Sequence, residues 1–244
     1  MSRRLKLGVL ATPEGILAGR MLAAMLEAGV TVDAVLLDPT PVSERERAVH
    51  EQRTGERLLP LPLAALERHR LPCFFVTDHN GAAALDLIAA LGLDLLANAG
   101  TPRICRAGLL AATPMGVLNC HPGRLPWYRG ACAVEHAVLA DEPVANTVHL
   151  MNAGIDEGPV LAIEEVSLVG IAGYRDLRVA TYQAGFALFA RCLRDLQEGR
   201  LTAADFTPQG EGRRNGPVDA AALAEVEDRL ASGRYRPNRA RVAS

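Results

Sequence analysis

Short apolar runs recur along this chain, and between them the apolar positions space out to a helical period. Residues 5–11, Leu-Lys-Leu-Gly-Val-Leu-Ala, form the first compact run and predict a buried strand. Thr12 and Pro13 come next as a cap and first-turn pair, so a helix is expected from there to about Glu27, stopped by Gly29. The order then repeats. Strands are expected at 32–37, 73–77, 93–98 and 116–120, with a helix over 80–91. Residues 145–151 and 160–166 read as two further strands, and a long helix over 174–198 ends at Gly199. Alternation of this kind predicts an α/β fold with a mostly parallel sheet and helices on both faces.

Two stretches break the pattern. Residues 39–70 mix arginine and glutamate with scattered leucine and are read as a solvated helical excursion. After a turn-rich segment at 208–216, an amphipathic helix is expected over 217–230, followed by a basic tail carrying Arg234, Arg236, Arg239 and Arg241. The tail reads as a frayed terminus. The expected organisation is a core over 1–200 and a short helical extension over 201–244.

Composition narrows the class. With 244 residues, 49% hydrophobic and 22% charged, the chain can bury a full core. A net charge of −2 gives no basic field, so nucleic acid is not expected as a partner. The five cysteines are odd in number and form no C-x-x-C pair, which suits a reducing, cytoplasmic location. Ser2-Arg3-Arg4-Leu5 has the look of an export signal, but Pro13, Glu14 and Arg20 interrupt the apolar run that such a signal needs. Charged residues break every other apolar run short of a membrane span, so no membrane partner is expected. The helix over 217–230 leaves a homodimer open.

The candidate chemistry lies in Asn119-Cys120-His121-Pro122 and in the loop Gly154-Ile155-Asp156-Glu157-Gly158. Pro122 ends the run over 116–120, which places Asn119 and His121 at the carboxyl end of a parallel strand, where open α/β sheets bind ligands. Two positions apart, they share a face, while Cys120 points the other way into packing. His149 reads equally as a structural histidine or a support for the site. His136 is a candidate for lining the site, and Asp78-His79 reads as a helix cap. No H-E-x-x-H or C-x-x-C pair supports a metal, and none is expected.

At these positions the chain resembles the formyltransferases that use 10-formyltetrahydrofolate, which act on glycinamide ribonucleotide, methionyl-tRNA or amino sugars. The shared pattern is carried by Asn119, His121, Pro122, Leu125, Pro126, Gly130, His149, Asp156 and Gly158, with residues 99–104 resembling a folate-cleft segment. The resemblance covers roughly 5–200 and implies the Rossmann-like formyltransferase fold. It also implies 10-formyltetrahydrofolate as formyl donor, with Asn119, His121 and Asp156 as the catalytic set. Asn119 and His121 would stabilise the oxyanion, and Asp156 would pair with His121 and help move a proton. By the same resemblance the pterin would lie against the backbone of Arg103, Ile104 and Cys105 and against Asn152, Ala153, Gly154 and Ile155. Leu125-Pro126 falls where such enzymes often have a cis peptide.

The departures bear on the acceptor. Thr12-Pro13-Glu14-Gly15 replaces a phosphate-holding Gly-Ser-Asn turn, which disfavours the purine substrate. Only about 45 residues follow the core, which disfavours a tRNA substrate. A small-molecule amine, such as an amino sugar nucleotide or a specialised metabolite, is the expected acceptor. A formyltetrahydrofolate hydrolase and a non-catalytic folate-binding protein remain as alternatives, and a non-folate carbonyl donor as a third.

Overall fold

The computed structural model describes residues 3–239. Its first half alternates as expected: β1 (Leu7–Ala11), α1 (Ala18–Glu27), β2 (Ala34–Leu37), α2 (Glu44–Thr54), β3 (Cys73–Phe75), α3 (Ala82–Leu91), β4 (Leu95–Asn98) and the short α4 (Ala107–Leu110). Then come β5 (Val117–His121), β6 (Arg129–Gly130), α5 (Ala133–Leu139), β7 (Ala145–Leu150), β8 (Val160–Glu165) and α6 (Tyr174–Gln197). Last are β9 (Arg214–Asn215), α7 (Ala220–Ala231) and α8 (Arg236–Arg239).

Seven strands form one sheet in the order β3-β2-β1-β4-β5-β7-β8. The first five are parallel, and β7 and β8 run antiparallel to their neighbours. The α/β, mostly parallel sheet expected from the sequence is therefore present. The central strands are continuous apolar runs because both faces are covered. On one face Leu7, Val9 and Val35 pack with Met21, Leu22 and Met25 of α1 and Phe189 and Leu193 of α6. On the other, Leu10, Leu36 and Leu96 pack with Ala84 and Ile88 of α3 and Leu109 of α4.

Three local expectations change. The first helix begins at Ala18, not Pro13, because Thr12 is buried at the strand end and its carbonyl accepts the Gly15 N–H in a reverse turn of 3.1 Å. The helix expected from Asn80 starts at Ala82. Asp78 accepts from the Asn80 N–H at 2.8 Å, so it closes a turn, and Gly81 occupies the cap position without a side-chain bond. The basic tail is not frayed as far as it is described. Tyr235 is completely buried against α5 and α7, its hydroxyl donates to the Glu142 carbonyl at 2.6 Å, and Arg234 and Arg236 pair with Glu225 and Asp141. Arg241 lies outside the described residues.

The excursion over 39–70 is helical, as expected. Ser43 and Glu46 build a reciprocal capping box at the start of α2. The segment after α6 is tied to the core at several points: β9 pairs parallel with β6, Thr207 bridges Val160, and Val226 and Leu230 of α7 pack with Val134 and Val138 of α5. The apolar face that suggested a dimer contact is thus covered within the chain.

Candidate functional site

The carboxyl end of β5 carries Asn119 and His121 on one face, as their spacing required. Cys120 faces α6, where its thiol donates to the Gly185 carbonyl at 3.5 Å and burial pushes it up to about 12. It is a packed thiol, not a nucleophile.

Register places the neighbours. The β5–β7 pairing sets His149 opposite Asn119 and Thr147 opposite His121. Parallel pairing of Leu96 with Val117 and Ala97 with Leu118 brings Asn98, next along β4, beside Asn119. The loop after β7 turns back so that Asp156 meets both imidazoles, its Oδ2 at 3.4 Å from His121 Nδ1 and its Oδ1 at 3.6 Å from His149 Nε2. Asp156 sits at φ +56°, a left-handed conformation that aspartate tolerates better than most residues. Its Oδ2 also accepts the Gly130 N–H at 2.8 Å, which fixes the carboxylate from behind.

The hydrogen-bond directions follow from the acceptors. His149 Nδ1 faces the Leu150 carbonyl at 2.8 Å and must be the protonated nitrogen of a neutral ring; Nε2 is then an acceptor for Asn119 Nδ2 at 3.2 Å. Burial holds the His149 imidazole below its ordinary value, against the opposing pull of the Leu150 carbonyl and Asp156. His121 differs, because both of its nitrogens face acceptors: Nε2 meets the Tyr128 carbonyl at 2.6 Å and Nδ1 the Asp156 carboxylate. Delivery of the Nε2 proton to a substrate requires the ring to leave Tyr128.

Two glycines make this packing possible. A Cβ on Gly123 would lie 2.7 Å from His121 Nε2, and one on Gly158 would strike the Leu150 carbonyl. Leu125-Pro126 is cis, as the resemblance implied.

The two loops expected to hold the folate come after β4 and β7 and so flank β5. Arg103 is locked by Asp38 at 2.5 Å, Thr40 at 3.0 Å and the Thr77 carbonyl at 3.0 Å, which pins the first loop. The Ile104 carbonyl accepts from Asn80 at 3.2 Å, so it is less free to read a ligand than the sequence suggested, while the Ile104 side chain is 88% exposed. Cys105 is buried, and burial pushes its thiol up to about 11. In the second loop Asn152 accepts the Gly154 N–H at 3.0 Å, Ala153 is exposed and Ile155 is 45% exposed. Each of the two loops thus presents one exposed isoleucine. A cleft of about 590 Å³, between the Asp156 loop and β6 and β9, opens on Asp156 itself.

Several groups were not anticipated. Asn98 donates to Asn119 Oδ1 at 3.0 Å, Thr147 accepts from Leu125 N at 3.2 Å and donates to the Gly123 carbonyl at 2.6 Å, and Gln209 donates to the carbonyls of Asp156 and Gly158. Asn98 had a signal, a polar residue at the carboxyl end of a predicted strand; Gln209 had none. His136 bonds the Gly216 carbonyl at 2.9 Å and so ties down the extension. His79 is fully buried between Leu36 and Thr101, a structural role. Among the described residues no three His, Cys, Asp or Glu side chains are arranged to hold a metal ion, and no helix is long and apolar enough to cross a membrane.

Comparisons with known proteins agree with this arrangement. The family model described as formyl transferase matches residues 5–185. A methionyl-tRNA formyltransferase of Methylobacterium sp. is 33% identical over 178 residues, which are 72% of this chain and 56% of that protein. One from Parvibaculum lavamentivorans is 31% identical over 227 residues, covering 93% and 68%. The chain thus spans about half the length of the first of these relatives. Among solved structures, glycinamide ribonucleotide transformylase 1 from Symbiobacterium toebii is 25% identical with a TM-score of 0.61, covering 90% of this chain and 96% of that one. A family match over most of the chain, on a shared fold, shows that this chain belongs to the formyl transferase family.

Proposed function

We propose that this chain transfers the formyl group of 10-formyltetrahydrofolate to the amine of a small molecule, with Asn119, His121 and Asp156 as the catalytic residues. The observation that carries the reading is the convergence of the Asn119 amide, the His121 ring and the Asp156 carboxylate at the carboxyl end of β5. In this reading the amine lone pair attacks the formyl carbon and the carbonyl electrons move to oxygen. The second N–H of Asn119 and a proton of His121 stabilise that oxyanion. Asp156 takes the proton released by the attacking amine and passes it to N10 of the folate; the oxyanion electrons re-form the carbonyl as the C–N10 bond breaks, giving a formamide and tetrahydrofolate with Asp156 again a carboxylate. The pterin would rest between the loop of Arg103, Ile104 and Cys105 and the loop of Asn152, Ala153, Gly154 and Ile155.

The cleft beside Asp156 has the size of a small-molecule site, which supports a small amine as acceptor. A second reading comes from the relatives: those named above are methionyl-tRNA formyltransferases, which favours a tRNA-linked amine in place of a free one. Incubation with 10-formyltetrahydrofolate and, in separate arms, primary amines, amino sugar nucleotides and methionyl-tRNA decides between them. A formyl mass on a small amine with stoichiometric tetrahydrofolate supports the proposal, and formylation of the tRNA arm alone replaces the acceptor. Folate consumed with every amine unchanged makes the chain a hydrolase, and folate bound but unconsumed makes it a binding protein.

A further inference from the structure

A carboxamide can stabilise an oxyanion only with its nitrogen end turned toward it, and the two ends of Asn119 are nearly the same shape. Something must choose between them. Asn98 Oδ1 accepts the N–H of Gly100 at 3.1 Å and of Thr101 at 2.9 Å, so its own orientation is fixed by two backbone donors. Its Nδ2 must then be the end that faces Asn119, and it donates to Asn119 Oδ1 at 3.0 Å. Asn119 Nδ2 is left toward His149, whose Nε2 is free to accept because Nδ1 is held by the Leu150 carbonyl. One backbone turn thus dictates the direction of a four-group chain.

We propose that Asn98 is the positioning residue that keeps the nitrogen end of Asn119 facing the reacting carbonyl. The inference rests on the proposed role of Asn119 as an oxyanion donor. It assigns Asn98 no contact with substrate; the residue acts through Asn119.

Asn98→Asp separates this role from the turn itself. The introduced carboxylate still accepts from Gly100 and Thr101, but it cannot donate to Asn119 Oδ1. The Asn119 amide is then expected to turn over, placing its oxygen against His149 Nε2. The readout is ¹⁵N NMR of labelled histidine in the unliganded protein at pH 8. The groups facing the His149 ring are Asp156, His121, Asn119 and the Leu150 carbonyl. In the wild type Nε2 should resonate as an unprotonated acceptor, and in Asn98→Asp as a protonated nitrogen. In Asn98→Asp combined with Asn119→Ala the change should vanish. Asn98→Ala, which adds no charge, should let a fraction of the Asn119 amides turn over, with Nε2 of His149 protonated in that fraction at the expense of the Nδ1 bond to the Leu150 carbonyl, and supplies the test if the aspartate variant does not fold.

A parallel assay of tetrahydrofolate release should show kcat reduced about 10- to 100-fold in Asn98→Asp with KM for folate within about twofold. A wild-type Nε2 already protonated, an Asn98→Asp spectrum unchanged at His149, or a change that persists without Asn119 overturns the proposal. If Asn119→Ala keeps full turnover, the reading of Asn119 falls. If it loses turnover while Asn98→Asp keeps both turnover and the wild-type signal, the role of Asn98 alone falls.

Discussion

His121 and Asn119 differ in how ready they are for chemistry. The Asn119 amide carries one N–H beyond the one that faces His149, which the proposed mechanism uses as an oxyanion donor, whereas His121 Nε2 is engaged by the Tyr128 carbonyl. Asn119→Ala removes a preset donor, and kcat is expected to fall roughly 10²- to 10³-fold, as for loss of one oxyanion donor. Folate affinity, measured by equilibrium titration, should hold within a few-fold. The buried histidines make a separate prediction. Burial lowers both His79 and His149 from the ordinary 6.5. The unfolded chain therefore takes up protons that the folded chain refuses. Stability should be full above about pH 6.5 and fall as the pH drops toward the lower folded values. Denaturant midpoints at pH 7.5 and 5.5 should show the loss, and His149→Gln should reduce it. The residue-level site was legible where residues share one strand, because alternation puts Asn119 and His121 together. Asn98 was legible only as a polar strand end, since its contact, like that of Thr147, depends on a strand register no local pattern states, and Gln209 was not legible because it reaches the Asp156 loop from a distant stretch outside the strands.

At the scale of elements, strands and long helices were readable because their apolar runs are continuous or periodic, and tertiary packing agrees with local propensity. The errors fall at ends. Thr12-Pro13 has the chemistry of a helix start, yet the buried Thr12 and the turn to Gly15 delay α1 to Ala18. The arginine-rich tail masked one aromatic anchor, Tyr235, which closes the cluster under α5 and α7. Tyr235→Phe deletes only the bond to the Glu142 carbonyl and should cost about 1 kcal/mol by denaturant titration. Tyr235→Ala should cost about 3 to 5 kcal/mol. Gln209 links the extension to the Asp156 loop, so Gln209→Ala should lower kcat more than it lowers stability, measured on the same preparation.

Across the whole molecule, the sheet brings the loops after β4 and β7 to either side of β5, and the segment after α6 closes the Asp156 side through β9 and Gln209. The extension is therefore part of the site's wall. Fold and family were within reach of the sequence, because the polar motif and the strand order reinforce one another. The acceptor was not, because the wall of the cleft comes from β6, β9 and a loop that are distant in sequence. The most direct test uses 10-formyltetrahydrofolate labelled with ¹³C in the formyl group, an amine from the acceptor screen, and mass spectrometry of the product. We expect the label on the amine nitrogen with wild-type protein, and its loss in Asp156→Asn with folate binding retained. Label recovered only as formate, or an Asp156→Asn variant that labels the amine at the wild-type rate, would contradict formyl transfer by this site.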